Sequence, residues 1–261
     1  HGRRRDIGHL GGDGLSVPEY ITPAGTGHLY TGAIRNKGGN NTITGLLTLG
    51  AAPMIMADSG TTLVIDEKGV SAATQALTVG GIGNITLTTT APIYGTSAAL
   101  TKNDSGTLTI QSFSNYTGAT IVNRGTLLLN SAGAIPNSSV TVNGGGTYTV
   151  DNSAGVALNR MSETAALTMN GGNFNYIGNG TVSTAESTGA LTLSSGHNIV
   201  TVIPGAGGST TMTFASLSRA AGASVLFRGA NLGSNPAPNV ANIMFVSTPT
   251  LTGSAGSANS T

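Results

Sequence analysis

Residues 100–130 read LTKNDSGTLTIQSFSNYTGATIVNRGTLLLN. Thr alternates with Leu, Ile and Val, Gly returns at positions 106, 118 and 125, and the stretch holds no His and no Cys. Alternation of apolar and polar residues is the period of a half-buried strand, because successive side chains point to opposite faces. Short strands joined by tight corners are therefore expected, with Gly, Asn and Ser supplying the residues that tolerate positive φ. Leu100, Leu108, Ile110, Ile121, Leu127 and Leu129 are the expected inward residues, and Gly106, Gly118 and Gly125 the expected corners.

Working outward, a unit of one apolar residue followed by Thr recurs at Leu77-Thr78, Leu100-Thr101, Val140-Thr141, Leu167-Thr168, Leu191-Thr192 and Met212-Thr213, with Ile121-Val122 filling the gap. The unit returns irregularly after about two dozen positions, the interval expected when each repeat is one turn of a solenoid. Within a turn the pattern doubles. SVTVNGGGTYTV (139–150), ALTMNGGNFNYI (166–177) and ALTLSSGHNIVTV (190–202) each place an alternating run, a corner and a second alternating run, with Val140 and Val142 on one face and Thr141 on the other. An antiparallel sandwich would also satisfy the doubling. The return of the same unit after each full period favours the solenoid, since strands stacked at about 4.8 Å align like residues into ladders.

The expected fold is all-β, a parallel β-helix (β-solenoid). At roughly 22 residues per turn it would make about a dozen irregular turns and a rod of order 55 Å. Helical periodicity is weak, SLSRAAGAS (216–224) being the best stretch, and Gly222 weakens it. Residues 1–30, with two Pro and clustered Gly, read as an irregular lead-in or the end of a preceding repeat; residues 31–249 as the solenoid; and the Ser, Gly and Ala-rich residues 250–261 as a tail or linker.

Composition narrows the function. Only 8% of the 261 residues are charged, the formal net charge is +1, and hydrophobic residues make up 38%, which argues against disorder. Basic residues are scattered apart from Arg3, Arg4 and Arg5, so no stripe tracks a phosphate backbone and nucleic acid is not an expected partner. The absence of Cys removes disulfides, Cys-ligated zinc and thiol nucleophiles, and does not fix the compartment. No apolar run is long enough for a helix to span a bilayer, so no transmembrane helix is expected. The chain opens at His1 without a signal-peptide pattern, and a mature or excised segment of a longer protein is expected.

Residues 99–130 are similar to the autotransporter-associated β-strand repeat, also called the passenger-associated transport repeat, whose usual form runs close to LTKxGxGTLTLSGxNTYTGxTTVNxGTLLL. Leu100-Thr101-Lys102, Gly106-Thr107-Leu108-Thr109, Asn115-Tyr116-Thr117-Gly118, Asn123 and Gly125-Thr126-Leu127 carry the resemblance. Residues 32–65 also look like what precedes that repeat in large bacterial surface proteins. Asp104, Ser105, Phe113 and Ser114 depart from the pattern in expected turns. The resemblance implies a right-handed parallel β-helix in a secreted, cell-surface passenger, acting as stalk, adhesin or surface fibre, with no catalytic residues. The translocating β-barrel is not in this chain, so the secretion route stays open.

Reactive constellations are sparse. No Gly-x-Ser-x-Gly elbow occurs, and the four His lie at 1, 9, 28 and 197. Asp6, His9 and Asp13 are near one another in a Gly-rich stretch without helical spacing and read as solvated rather than metal-binding. Gly80-Gly81-Ile82-Gly83-Asn84-Ile85 imitates a calcium nonapeptide until Ile85, which cannot donate a carboxylate oxygen. A β-helix polysaccharide lyase or glycosidase is the enzymatic rival. Asp66-Glu67 is the sole adjacent acid pair and would point to opposite faces, while Asp151, Arg160 and Glu163 are the loosest approximation to a lyase site. No catalytic, cofactor-binding or metal residue is assigned.

Asn-x-Ser/Thr sequons begin at Asn40, Asn84, Asn103, Asn115, Asn137, Asn179 and Asn259, candidate glycosylation sites whose blander reading is turn chemistry. The expected partners are the chain itself, through exposed strand edges, or surface glycans and host surfaces that meet a flat Thr and Asn ladder.

Overall fold

The structure, a computed structural model, describes residues 8–249; the tail expected at 250–261 lies outside them. Two ten-stranded sheets run the length of the rod. The first face extends from His9–Leu10 to Leu217–Arg219 and the second from Ser16–Val17 to Ser224–Gly229. A third face comes in two pieces, one of Leu47–Thr48, Val70–Ser71 and Ile93–Tyr94, the other of Thr184–Thr188, Thr210–Phe214 and Ala241–Phe245. Between those pieces only the bridge Phe113–Ala134 keeps the pairing. Each turn visits the three faces in order, and the strands of all four sheets pair parallel. A β-solenoid of three faces follows.

Ten stacked strands on the first face make nine full turns, fewer than the dozen expected. Dividing the whole chain by a uniform period overcounts, because paired strands span only His9 to Phe245 and several turns carry loops. On the first face the shortest turns are Leu100 to Thr120 and Thr120 to Val140, and the longest is Val140 to Leu167. The first rung already lies within residues 1–30, where His9–Leu10 and Ser16–Val17 pair with Arg35–Asn36 and Thr42–Ile43; bends and one 3-10 turn at His28–Tyr30 fill the way to the next. SLSRAAGAS forms a strand, a corner and the start of the next strand.

In-register stacking turns the repeated unit into core columns. Leu77, Leu100, Thr120, Val140, Leu167, Leu191 and Leu217 succeed one another on the first face. Leu108, Ile110, Leu127 and Leu129 are fully buried on the second, as expected. Two expectations are corrected. Ile121 is half-exposed and pairs with the outward Thr101 and Thr141, leaving Thr120 inside. The reason is Tyr116, fully buried, whose hydroxyl meets Thr120 Oγ1 at 2.6 Å; Thr120 meets Ser138 Oγ at 2.8 Å, and Ser138 donates to the Gly118 carbonyl at 2.7 Å. A buried hydroxyl left unpaired costs about 1–3 kcal/mol, enough to place a Thr in an apolar column. Met212 lies on the third face between Glu186 and Ile243, and Leu217 takes the column position assigned to it.

At the corner leaving the first face, an asparagine ladder spans four rungs. Asn123 Nδ2 donates to Asn103 Oδ1 at 2.8 Å, Asn143 to Asn123 at 2.6 Å, and Asn170 to Asn143 at 2.8 Å. Lys102, in an inward column between Val79 and Val122, is almost fully buried and donates through Nζ to the carbonyls of Asn103, Asp104 and Arg124. Burial lowers its ammonium to about 8, opposed by Asp104. The departures from the repeat also find roles: Asp104 Oδ2 accepts the Gly81 N–H at 2.8 Å, and Ser114 Oγ accepts that of Ile93 at 3.0 Å.

Rungs approach so closely at some corners that no side chain fits. A Cβ built on Gly106 would lie 1.9 Å from the Gly83 carbonyl oxygen of the preceding turn, whereas at Gly155 nothing comes within 4 Å. Gly106→Ala is expected to destabilise the fold by more than about 2 kcal/mol and Gly155→Ala to stay within about 0.5 kcal/mol, both read from denaturant midpoints.

Candidate functional site

The most regular surface is the outer side of the second face. Asn40, Thr62 and Asn84 form one outward row, and Thr42, Val64, Thr86 and Thr109 the adjacent one. Further along, Thr126 and Thr147 continue the first row and Leu128 the second, where Thr149 follows but is buried, its hydroxyl accepting from the Asn175 amide at 3.3 Å. Neighbours sit about 4.8 Å apart along the rod and about 6.6 Å apart across each strand, the spacing of i and i+2. No charged residue interrupts either row over these strands. Such a face is flat, neutral and rich in hydroxyls and amides.

The sequons divide by environment. Asn40, Asn84, Asn115 and Asn137 are exposed. Asn103 is half-exposed and its Oδ1 serves the ladder. Asn179 is engaged at both ends, donating to the Asn152 carbonyl at 3.0 Å while its Oδ1 accepts from the Thr181 N–H and hydroxyl. Asn259 and Asp6 lie outside the described residues.

Residues weighed for chemistry are occupied elsewhere. Asp13 Oδ1 accepts the Asn40 N–H at 2.6 Å, and among the described residues no three of His, Asp or Glu converge to hold a metal ion. Asp66 accepts from Thr88, Thr90 and the Glu67 N–H, hydrogen bonds that hold its carboxyl below the ordinary range. Gly80-Gly81-Ile82 turns the corner of its rung, with Gly81 at φ 96°. His197 Nδ1 contacts Ser224 Oγ at 2.6 Å on an exposed corner, a pair to which no carboxylate is hydrogen-bonded. Arg35 and Asp58 form a bidentate ion pair on the first face, at 2.8 and 2.9 Å.

Arg160 is not a surface base of a lyase. It is fully buried, and its guanidinium donates to Asn152 Oδ1 at 2.9 Å and to the carbonyls of Ser131, Gly133 and Gly155. Glu163 is exposed and Asp151 half-buried, so the three are not gathered at one open site. Arg160 anchors the loop 152–166, which crosses the third face where that face has no strand. Its other anchor is Glu186, buried on Thr184–Thr188, whose carboxyl oxygens accept the backbone N–H of Arg160 at 3.1 Å and Met161 at 3.4 Å. A side chain thus supplies the acceptors that a neighbouring strand supplies elsewhere. The signal was present: in TAEST the polar residues Thr184, Glu186 and Thr188 share one parity, with Ala185 and Ser187 on the other.

Burial pushes the Glu186 carboxyl up to about 7, against the opposing pull of its backbone N–H donors and of Arg160. Tyr148 and Tyr176 share this part of the core, and burial raises both hydroxyls above their ordinary value, Tyr176 to about 12. The fold therefore favours protonated Glu186. The stabilisation is complete below the ordinary 4.5 and is lost as pH rises through about 7. Wild type is expected to lose about 2–3 kcal/mol between pH 4.5 and 7.5 relative to Glu186→Gln, measured as paired denaturant midpoints across pH.

Residues 100–129 match the family described as passenger-associated-transport-repeat. Among curated proteins and among solved structures, none matches the chain. The matched segment is one and a half turns of the rod: its strands Leu100–Lys102, Thr107–Ile110, Thr120–Val122 and Gly125–Leu129 stack on one another, and Lys102, Tyr116 and Asn123 carry the polar contacts that fix their register. The chain is a parallel β-solenoid whose residues 100–129 match the passenger-associated transport repeat.

Proposed function

We propose that this chain is a non-enzymatic structural segment of a secreted, surface-exposed bacterial protein, a stalk whose work is done by its own ladder. The observation that carries the reading is the continuous parallel stacking of two ten-stranded sheets around the matched repeat, with one register shift at Met169/Asn170 on the first face. The use of Lys102, Asp66, Arg160 and Glu186 as internal fasteners supports it, since each is bound to backbone or side-chain partners within the rod. We take the coil as right-handed, the hand that parallel crossovers within one sheet overwhelmingly adopt. Nine spacings of about 4.8 Å give a rod of roughly 43 Å.

A second reading is assembly end to end. On the last rung Leu217, Val225, Phe227, Ile243 and Phe245 are only partly buried, and their strands pair on one side only among the described residues. A stack of aromatic rings leads to that end, Phe174 to Phe214 at 6.4 Å, Phe214 to Phe245 at 5.6 Å and Phe245 to Phe227 at 5.9 Å. Free edges with an apolar interior pair readily with further strands. A third use, adhesion, would employ the neutral Thr and Asn rows of the second face, with glycans or a host surface as partner and the exposed sequons as places for decoration.

Electron micrographs of the purified chain at high concentration test the first two readings together. Expected are short rods, lengthening in steps of roughly 48 Å if ends join, since the junction adds one more spacing, and Phe227→Lys would return joined rods to single ones. Far-UV circular dichroism dominated by helix, or globular particles without a long axis, would sink the stalk.

A further inference from the structure

The chain holds three Asn–Gly pairs, Asn143-Gly144, Asn170-Gly171 and Asn179-Gly180. A Gly nitrogen has no neighbouring Cβ to shield it, so it can close on the side-chain carbonyl carbon of a preceding Asn and expel ammonia. Closure needs a backbone outside a strand, a Gly N–H without a partner and a polarised amide carbonyl. The fold grants all of these to one pair.

Asn143 and Asn170 end the strands Val140–Asn143 and Leu167–Asn170 and belong to the asparagine ladder. There each amide is drawn along the rod toward the next rung, Asn143 donating to Asn123 and Asn170 to Asn143. The Gly171 N–H is also taken, donating to Asn198 Oδ1 at 2.7 Å. Asn179-Gly180, by contrast, lies between the strands Asn173–Ile177 and Thr184–Thr188 and belongs to neither. Gly180 is exposed, and among the described residues its N–H has no hydrogen-bond partner.

The side chain of Asn179 is set for attack by that nitrogen. Its Oδ1 reaches forward past Gly180 to accept the Thr181 N–H at 3.0 Å and the Thr181 hydroxyl at 2.8 Å, the turn that Asn makes with the backbone two residues on. This turn folds Cγ toward the intervening Gly180 nitrogen. The two Thr181 donors stand where negative charge gathers on Oδ1 during attack, the role of an oxyanion hole. Nδ2 points the other way, to the carbonyls of Asn152 at 3.0 Å and Ser153 at 3.4 Å.

We propose that Asn179 is a site of spontaneous self-modification, cyclising with Gly180 and ending as aspartate or isoaspartate. The Gly180 nitrogen gives its proton to solvent base and bonds to Asn179 Cγ. The oxyanion on Oδ1, held by Thr181, collapses; the Cγ–Nδ2 bond breaks, and Nδ2 takes a proton and leaves as ammonia. Water then opens the succinimide at either carbonyl. The new carboxylate faces the Asn152 and Ser153 carbonyls to which the amide donated, so the start of loop 152–166 loses a tie. The inference goes beyond the stalk and does not rest on it, since a scaffold can carry local chemistry or none.

Peptide mapping by mass spectrometry of the full 261-residue chain, aged in mildly alkaline buffer, tests it. The peptide with Asn179 is expected to convert at least about tenfold faster than those with Asn143 and Asn170, a difference of about 1.4 kcal/mol in barrier. Conversion should slow in mildly acid buffer, because the nitrogen must lose its proton. A Cβ at Gly180 meets nothing within 4 Å, so Gly180→Ala keeps the fold while shielding the nitrogen, and should slow conversion at least about tenfold. Thr181→Val, at an exposed position, removes one oxyanion donor and should slow it as well. A chain that keeps its mass at Asn179, conversion at Asn143 or Asn170 as fast as at Asn179, or a rate that neither variant lowers would overturn the proposal. Rods seen by microscopy are unaffected by these outcomes, so the two readings fail separately.

Discussion

Every other feature of this molecule depends on the parallel backbone hydrogen bonds that join each turn to the next in register. Because strands repeat at about 4.8 Å, a side chain at one position must tolerate its counterpart directly above and below. Leu on Leu and Val on Val satisfy this on the inside; Thr on Thr satisfies it outside. Asn does so with added energy, since each amide both donates and accepts along the axis, as the ladder from Asn103 to Asn170 shows. Charge does not stack on itself, which is why a chain built this way has only 8% charged residues.

Ionisable groups that do enter the rod are therefore informative. Lys102 lies in an inward column where a ring of backbone carbonyls receives its ammonium, and Arg160 lies where the third face is interrupted and acceptors converge on both its guanidinium and its backbone N–H. Glu186 is the acceptor counterpart on the other side of the same loop. Arg160 and Glu186 close a place where the third face has no strand, whereas Lys102 stays within a regular stack and binds the carbonyls of the corner that follows it. The partial third face and the neutral outer rows together describe a body whose long faces present hydroxyls and amides and whose cross-section is filled with apolar side chains.

Turn length differs from rung to rung while the two long sheets continue; the longest additions fall between the second and first faces, and smaller ones at the corner between the first and second. Loop 152–166 and loop 230–240 are such insertions, the first pinned by Arg160 and Glu186 and the second by Asn231 and Asn239. A solenoid tolerates additions of this kind since each rung contacts only its neighbours.

The sequence by itself determined the class of fold, the parallel stacking period and most of the core. Period-two alternation fixes which side of a strand faces in, and a repeat of about two dozen residues fixes which strands become neighbours. Within the repeat at 100–129, Leu100, Leu108, Ile110, Leu127 and Leu129 are buried as expected, while Gly125, expected as a corner, already opens the strand Gly125–Leu129. What only the tertiary structure decided were the places where one rung must answer to another. Thr120 and not Ile121 is inside because the buried Tyr116 hydroxyl needs a partner, a demand that no local pattern contains. Arg160 is a fastener rather than a surface base because carbonyls distant in sequence converge on it. Strand identity is a local property of alternating side chains; the satisfaction of a buried polar group is a property of the whole stack.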